Sequence, residues 1–268
     1  MLKTFLPEHS MNRMGHEGDV LNARKIYLSG LNKNLKHLLK NRYLWMNTFL
    51  TIGDEGIEFG AGIGASRDFI FAEKYMLTDF LDSNWLDKKN VDALNSGMPS
   101  QSFEFVVASN MIHHLAFPKN FLDECQRILK PGGRLIIQEI HTSLTMRIIL
   151  RLMRHEGFDE TVNVFDETKP CNQIDDPWSA NCSIPKILFN SHEKFERHYP
   201  TWQVIHDKKV EFLQFLNSGG VVAKTHYIPL NHFFLNIQDL IDKLLCYIAP
   251  NIFALQRQIV LQKIENQI

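Results

Sequence analysis

Apolar positions recur with helical spacing over residues 20–50, at Leu21, Ile26, Leu28 and Leu31 and again at Leu35, Leu38, Leu39 and Tyr43. Two helices are therefore predicted ahead of the first strand, where they could cover one edge of a sheet. Beyond them the pattern shortens to compact apolar runs, each read as a strand: "GIEFG" at 56–60, "YMLTDF" at 75–80, "VDAL" at 91–94, "FEFVVAS" at 103–109 and "RLIIQEI" at 134–140. Helical or turn material separates them. "PKNFLDECQRIL" begins with a proline suited to a first helical turn and stops at "KPGG", a tight turn. Strands alternating with helices imply an α/β fold, a mostly parallel sheet with helices on both faces.

After Ile140 the rhythm changes. "SLTMRIILRLMRHEG" reads as a helix, and the polar, proline-interrupted stretch 158–190 fits neither period, so it is taken as an insertion or lid. "WQVIHDKKVEFLQFLNSGGVV" is predicted to form a pair of strands with Ser218-Gly219-Gly220 in or near their turn. A helix follows from about Leu230 and carries apolar residues from Ile237 to Val260, a face expected to pack on the core unless a second copy or a membrane surface covers it. The chain thus divides into an N-terminal helical cap (1–50), a core of alternating strands and helices (51–140), a helix and lid (141–200), and closing strands with a C-terminal helix (201–268).

Composition narrows the partners. The 268 residues carry a net charge of −1, which gives no overall electrostatic footprint for nucleic acid. The most lipid-like run, "FFLNIQDLIDKLLCYIA", contains Asp239, Asp242 and Lys243 and is too short and polar to cross a bilayer. Cys125, Cys171, Cys182 and Cys246 are irregularly spaced, which suits reduced thiols and a cytoplasmic protein, monomeric or homodimeric.

The loop "GIEFGAGIGAS" carries the strongest chemistry. Glycines after a strand let the backbone approach a ligand, but Gly60, Gly62 and Ala65 fit a dinucleotide pattern while Glu58 through Gly64 fit an acidic-x-G-x-G-x-G pattern. Asp79, nineteen residues after Gly60, ends the second strand candidate, where a carboxylate can hold ribose hydroxyls in either class. Glu58 inside the first strand favours a cationic ligand, and Asp92 supplies a carboxylate suited to an adenine amine.

With "FEFVVASNMIHHL" and "ILKPGGRLII" added, the stretch 55–140 resembles the class I S-adenosylmethionine-dependent methyltransferases of the small-molecule type. The resemblance implies a Rossmann-like seven-stranded sheet with an antiparallel last strand, and S-adenosylmethionine as cofactor. It implies that Glu58, Gly60, Ala61, Gly62 and Gly64 form the methionine and ribose side. Asp79 and Phe80 would hold the ribose and flank adenine, Asp92 and Ala93 would contact adenine, and Ser109 with Asn110 would line the floor near the sulfonium. "DDPWSANCSIPKILF" is similar to a segment of methyltransferases associated with bacterial polysaccharide or lipid biosynthesis, so a small molecule or glycan precursor is the expected acceptor.

Methyl transfer to a hydroxyl needs a base, and histidine, with a pKa of about 6.5, suits neutral pH. His113 and His114 follow the fourth strand at the ligand-binding edge of the sheet, and His141 ends the fifth; each is either a base or a packing residue. Glu139 could orient one of them. Trp178 and Asn181 could contact the acceptor or only pack the lid. Asp175 and Asp176 read as a turn and helix cap supported by Pro177, and no metal site is expected. "RMGHEGD" carries no chemistry of its own but could close over the pocket. An oxygen of the acceptor is the favoured target, ahead of nitrogen or carbon. The alternatives are an NAD(P)-dependent oxidoreductase, which leaves Glu58 unexplained and lacks a Tyr-x-x-x-Lys pair, and a methyltransferase-like binding module without turnover.

Overall fold

A computed structural model of the chain describes residues 3–7, 19–154, 156–176, 178–222 and 224–264. Most of "RMGHEGD" and Pro177 lie outside these residues. The expected helices form: α1 (Val20–Ser29) and α2 (Lys33–Leu44) start at Asp19 and Asn32, whose side chains accept from the backbone N–H groups of Asn22 and Leu35. The strands β2 (Glu55–Phe59), β3 (Lys74–Leu77), β4 (Phe103–Ser109), β5 (Leu129–Ile140), β7 (Trp202–Val210) and β8 (Gln256–Lys263) make a six-stranded sheet in the order β3-β2-β4-β5-β8-β7. The first four are parallel; β8 lies antiparallel between β5 and β7. A separate antiparallel pair joins β1 (Thr4–Phe5) to β6 (Phe158–Asp159).

Alternation along the central strands feeds two cores. Val106, Leu135, Ile137, Ile259 and Leu261 pack under α3 (Pro118–Ile128), α5 (Ile184–Phe189) and α6 (His192–His198). Phe105, Val107, Ile136 and Val260 pack under α1 and α2. The result is the expected Rossmann-like α/β sandwich with helices on both faces.

Three sequence expectations are corrected. The sheet has six strands, because 91–94 is a turn: Asn90 and Gly97 sit at φ 53° and 65°, and the Asp92 carboxylate accepts from the Leu94 N–H at 2.8 Å. The segment after β7 does not return as a strand. Glu211, at φ 60°, turns the chain, and the Asp242 carboxylate accepts from the N–H groups of Phe212, Leu213 and Gln214, which starts the short helix α7 (Leu213–Leu216). The partner of β7 is instead β8, whose Ile259, Val260 and Leu261 read as helix in the sequence because both faces of this strand are buried and its apolar residues are consecutive. The helix α8 (His232–Ile248) is followed by the single turn α9 (Pro250–Phe253). It does not pack its broad apolar face on the core: Leu240, Leu244, Tyr247 and Ile248 are exposed.

A buried ion pair ties the cap to the sheet. The Arg42 guanidinium on α2 donates to both Glu211 oxygens at 2.9–3.1 Å, and Gln138 of β5 donates to Glu211 Oε1 at 3.0 Å. Both charged side chains are 5% exposed. Removing one partner strands the other charge, so Arg42→Ala is expected to lower the unfolding free energy by roughly 3–5 kcal/mol, measured by urea denaturation.

Candidate functional site

The glycine loop leaves the end of β2 and is held from several sides. The Gly62 N–H donates to Asp79 Oδ2 at 2.8 Å, the Trp85 indole donates to the Gly62 carbonyl at 2.8 Å, and the Arg24 guanidinium donates to the Ile63 carbonyl. Gly60, at φ 69°, lies so close to the turn after β4 that an added Cβ would meet Met111 Cβ at 2.8 Å. At Gly62, with φ 50°, the same construction meets nothing within 4 Å, so this side of the loop faces open space.

Glu58 sits fully buried in β2 beneath the loop. Its Oε2 accepts from Ser66 and, at 2.8 Å, from the Tyr75 hydroxyl, while Oε1 has no hydrogen-bond partner among the described residues. Burial pushes this carboxyl up to about 7, against the two hydroxyl hydrogen bonds. That unmatched oxygen is sealed from solvent, and the open side of the loop lies at Gly62.

The other predicted contact residues gather at the same sheet edge. Asp79 ends the β3 segment, and its Oδ1 accepts from Leu81 N–H at 2.9 Å while its carbonyl accepts from Val91 N–H at 2.9 Å. The 91–94 turn is thereby brought beside it, with Asp92 exposed and Ala93 buried. Phe80 is 59% exposed next to Asp79, and Ala61 donates its N–H to the Thr78 carbonyl at 3.0 Å. Gly64 lies against Trp85. Ser109 closes β4, and Asn110, at φ 52°, accepts from Gln256 of β8 at 2.8 Å.

The three histidines diverge. His113 Nδ1 is 2.7 Å from Glu139 Oε2, and Glu139, wholly buried, also accepts from the N–H groups of Ile112 at 2.5 Å and Ile140 at 3.0 Å. Burial opposes charge on His113, but the Glu139 carboxylate and its hydrogen bond outweigh it and raise the imidazole above its ordinary value. In Glu139 burial is likewise outweighed, by the charge of His113 and its hydrogen bond, so the carboxyl is lowered. His114 donates from Nδ1 to the Ser179 carbonyl at 3.1 Å; burial and the neighbouring His113 lower it to about 4. His141 is buried without a hydrogen-bond partner for either ring nitrogen among the described residues, and burial with the charges of Lys209, Arg257 and Lys186 lowers it to about 3. Of the three, His113 alone combines an orienting carboxylate with raised basicity.

The segment 158–190 packs against this corner. Asn172 Nδ2 donates to the carbonyls of His113 and Leu115 at 2.8 and 2.9 Å, and Asn181 N–H donates to the His113 carbonyl at 2.9 Å. The Asn181 side chain is spent on Asp159 and Ser183, so its role is structural, and Trp178 is half-buried. Asp176 forms the expected turn by accepting from Trp178 N–H at 2.9 Å. One ligand atom each from His113, His114 and Glu156 lies within 4.8 Å of the others, near enough to share a divalent ion, which would compete with a base for the His113 lone pair. Arg24, Tyr75, Trp85 and Asn172 were not singled out in the sequence, because each reaches the site from a distant segment and carries no local motif.

The methyltransferase domain family profile matches residues 70–137. Fusarin C synthetase of Gibberella fujikuroi is 26% identical over 181 residues, 59% of this chain and 4% of that protein. The highly reducing polyketide synthase rstn3 of Aspergillus nomiae is 42% identical over 111 residues, 31% of this chain and 4% of that protein. The chain thus corresponds to a small fraction of the curated relatives' length. Its fold is shared with a SAM-dependent methyltransferase of Archaeoglobus fulgidus, at 14% identity and TM-score 0.53, covering 89% of this chain and 99% of that one. Residues 70–137, about a quarter of the chain, thus carry the methyltransferase domain match, on a fold shared with a SAM-dependent methyltransferase. The open side of the Gly62 turn leaves room for a ligand such as the S-adenosylmethionine that the sequence resemblance implies.

The His113–Glu139 pair makes a direct prediction. In histidine-ring NMR titrations His113 is expected to titrate above the ordinary histidine value of about 6.5. Glu139→Gln removes the carboxylate that raises it and leaves burial, so the midpoint should fall.

Proposed function

We propose that the chain transfers a methyl group to a hydroxyl oxygen of a small molecule or glycan precursor in the cytoplasm, with His113 as the base. The observation that carries this reading is the His113–Glu139 pair, set on the turn whose Met111 packs against Gly60 of the cofactor loop. Glu139 accepts the Nδ1 proton, so the neutral ring presents its lone pair at Nε2.

When bound, S-adenosylmethionine supplies an electrophilic methyl on a positively charged sulfur. In this reading Glu58, Gly60, Ala61, Gly62 and Gly64 hold its methionine and ribose side, Asp79 the ribose hydroxyls, Phe80, Asp92 and Ala93 the adenine, and Ser109 with Asn110 the floor. His113 takes the acceptor's proton at Nε2 as the acceptor attacks, and Glu139 stabilises the imidazolium. Burial around both keeps water from competing. The low basicity of His114 and His141 makes them supports of the site.

A carbon acceptor flanked by a carbonyl is the second reading. It is favoured by the similarity to a segment of a protein named as a highly reducing polyketide synthase, and the same base would remove its proton. The four cysteines, all unpaired, support a reducing compartment.

Two measurements test the proposal. Calorimetry should show S-adenosylhomocysteine binding to the wild type and His113→Gln alike; NADH binding in its place would contradict the cofactor assignment. With labelled S-adenosylmethionine and a panel of hydroxylated and β-keto acceptors, His113→Gln should lose about 10²–10⁴-fold in turnover. Because only the neutral ring accepts a proton, wild-type kcat/KM should rise with pH through the raised His113 midpoint and fall below it. Unchanged turnover in the variant would remove His113 from the chemistry.

A further inference from the structure

Helix α8 is amphipathic in the inverted sense. Its inward stripe is Leu235, Gln238, Asp242 and Cys246, and half of these are polar. Asp242 caps α7, and Asp239 is held at 2.9 Å by His37 and contacted by Asn41, so both acids of the helix are committed to the protein. The outward side carries Phe233, Phe234, Leu240, Leu244, Tyr247 and Ile248, with Tyr247 86% and Ile248 67% exposed. Lys243 is the one charged residue on that side of the helix. Contiguous exposed apolar surface of this kind marks an interaction face.

The charge around it says what covers it. α2, against which α8 lies, exposes Lys33, Lys36 and Lys40 along one stripe. Residues 20–53 contain no acidic residue; of their six lysines and arginines, Arg24 is engaged at the glycine loop and Arg42 with Glu211, and Lys25, Lys33, Lys36 and Lys40 are exposed, in a chain whose net charge is −1. The apolar face is therefore fringed by cations although the whole protein is nearly neutral. A two-fold pairing of this face with a second copy would bring lysine stripes of like sign together, and no helix among the described residues is long and apolar enough to cross a membrane. An apolar helix face with aromatic residues and a lysine fringe matches the plane of an anionic bilayer, where side chains enter the acyl boundary and lysines meet the headgroups.

We propose that α8 docks the protein on the surface of an anionic phospholipid bilayer, its axis in the membrane plane and the α2 lysines against the headgroups. The inference stands independently of the base assigned to the reaction.

The full chain is sedimented with phosphatidylcholine vesicles and with vesicles of phosphatidylcholine and phosphatidylglycerol at roughly 7:3, a composition that supplies the negative surface potential. Binding is expected to the anionic vesicles, to weaken with salt, and to fall by about tenfold or more in Leu240→Glu/Leu244→Glu. Lys33→Glu/Lys36→Glu/Lys40→Glu should lose the preference for anionic lipid. Because these side chains point outward, circular dichroism melts of the variants should match the wild type, which separates lost docking from lost folding. In Tyr247→Trp, whose exposed side chain is replaced by a probe, indole emission should shift to the blue on anionic vesicles. Failure of the folded wild type to bind, or binding indifferent to Leu240→Glu/Leu244→Glu, overturns the proposal. So does a dimer in light scattering that the same double substitution dissolves, since the face would then belong to a second copy.

Discussion

The corner where β4 and β5 end depends on one buried carboxylate. Glu139 has no exposed surface, and an unpaired charge there would be costly. It is retained because it accepts from the Ile112 and Ile140 N–H groups and from His113. These bonds fix the turn after β4, and that turn carries Met111 to the glycine loop and His113 to the ligand edge. Loss of the carboxylate would loosen the turn, the loop contact and the imidazole together. Structure and proposed chemistry thus rest on the same group.

Around that corner, the glycine loop and the histidine turn are each secured by residues from remote segments. Asp79 and Trp85 hold the N–H and the carbonyl of Gly62, and Arg24 from α1 holds the next carbonyl. Asn172 and Asn181 hold the backbone of the histidine turn from the other side. Such bracing keeps reacting groups in place when the protein must position rather than activate, since most of the reactivity resides in the cofactor.

Much of the fold was legible because its central strands are short apolar runs bounded by turn residues, and because Pro118 marks a helix start. Where the reading failed, local pattern was overridden by tertiary contacts. Val91 and Ala93 are buried as in a strand, yet Asn90 and the Asp92 turn bend the backbone. Ile259, Val260 and Leu261 are consecutive because β8 is covered on both faces, which removes the two-residue period that would have identified it. The outward apolar face of α8 was misassigned for the opposite reason: the sequence shows an amphipathic helix but not which side the protein covers.

The candidate site was legible at the level of residues and not of roles. Spacing brought Glu58, Gly60, Gly62, Asp79, His113, His114 and His141 to one edge, but only burial and partners separated the histidines. A crystal structure with S-adenosylhomocysteine tests the whole account most directly. The amino group is expected on the open side of the Gly62 turn and the sulfur directed toward the His113 side of the pocket. A cofactor lying elsewhere, or a sulfur facing away from His113 with that ring sealed off, would contradict it.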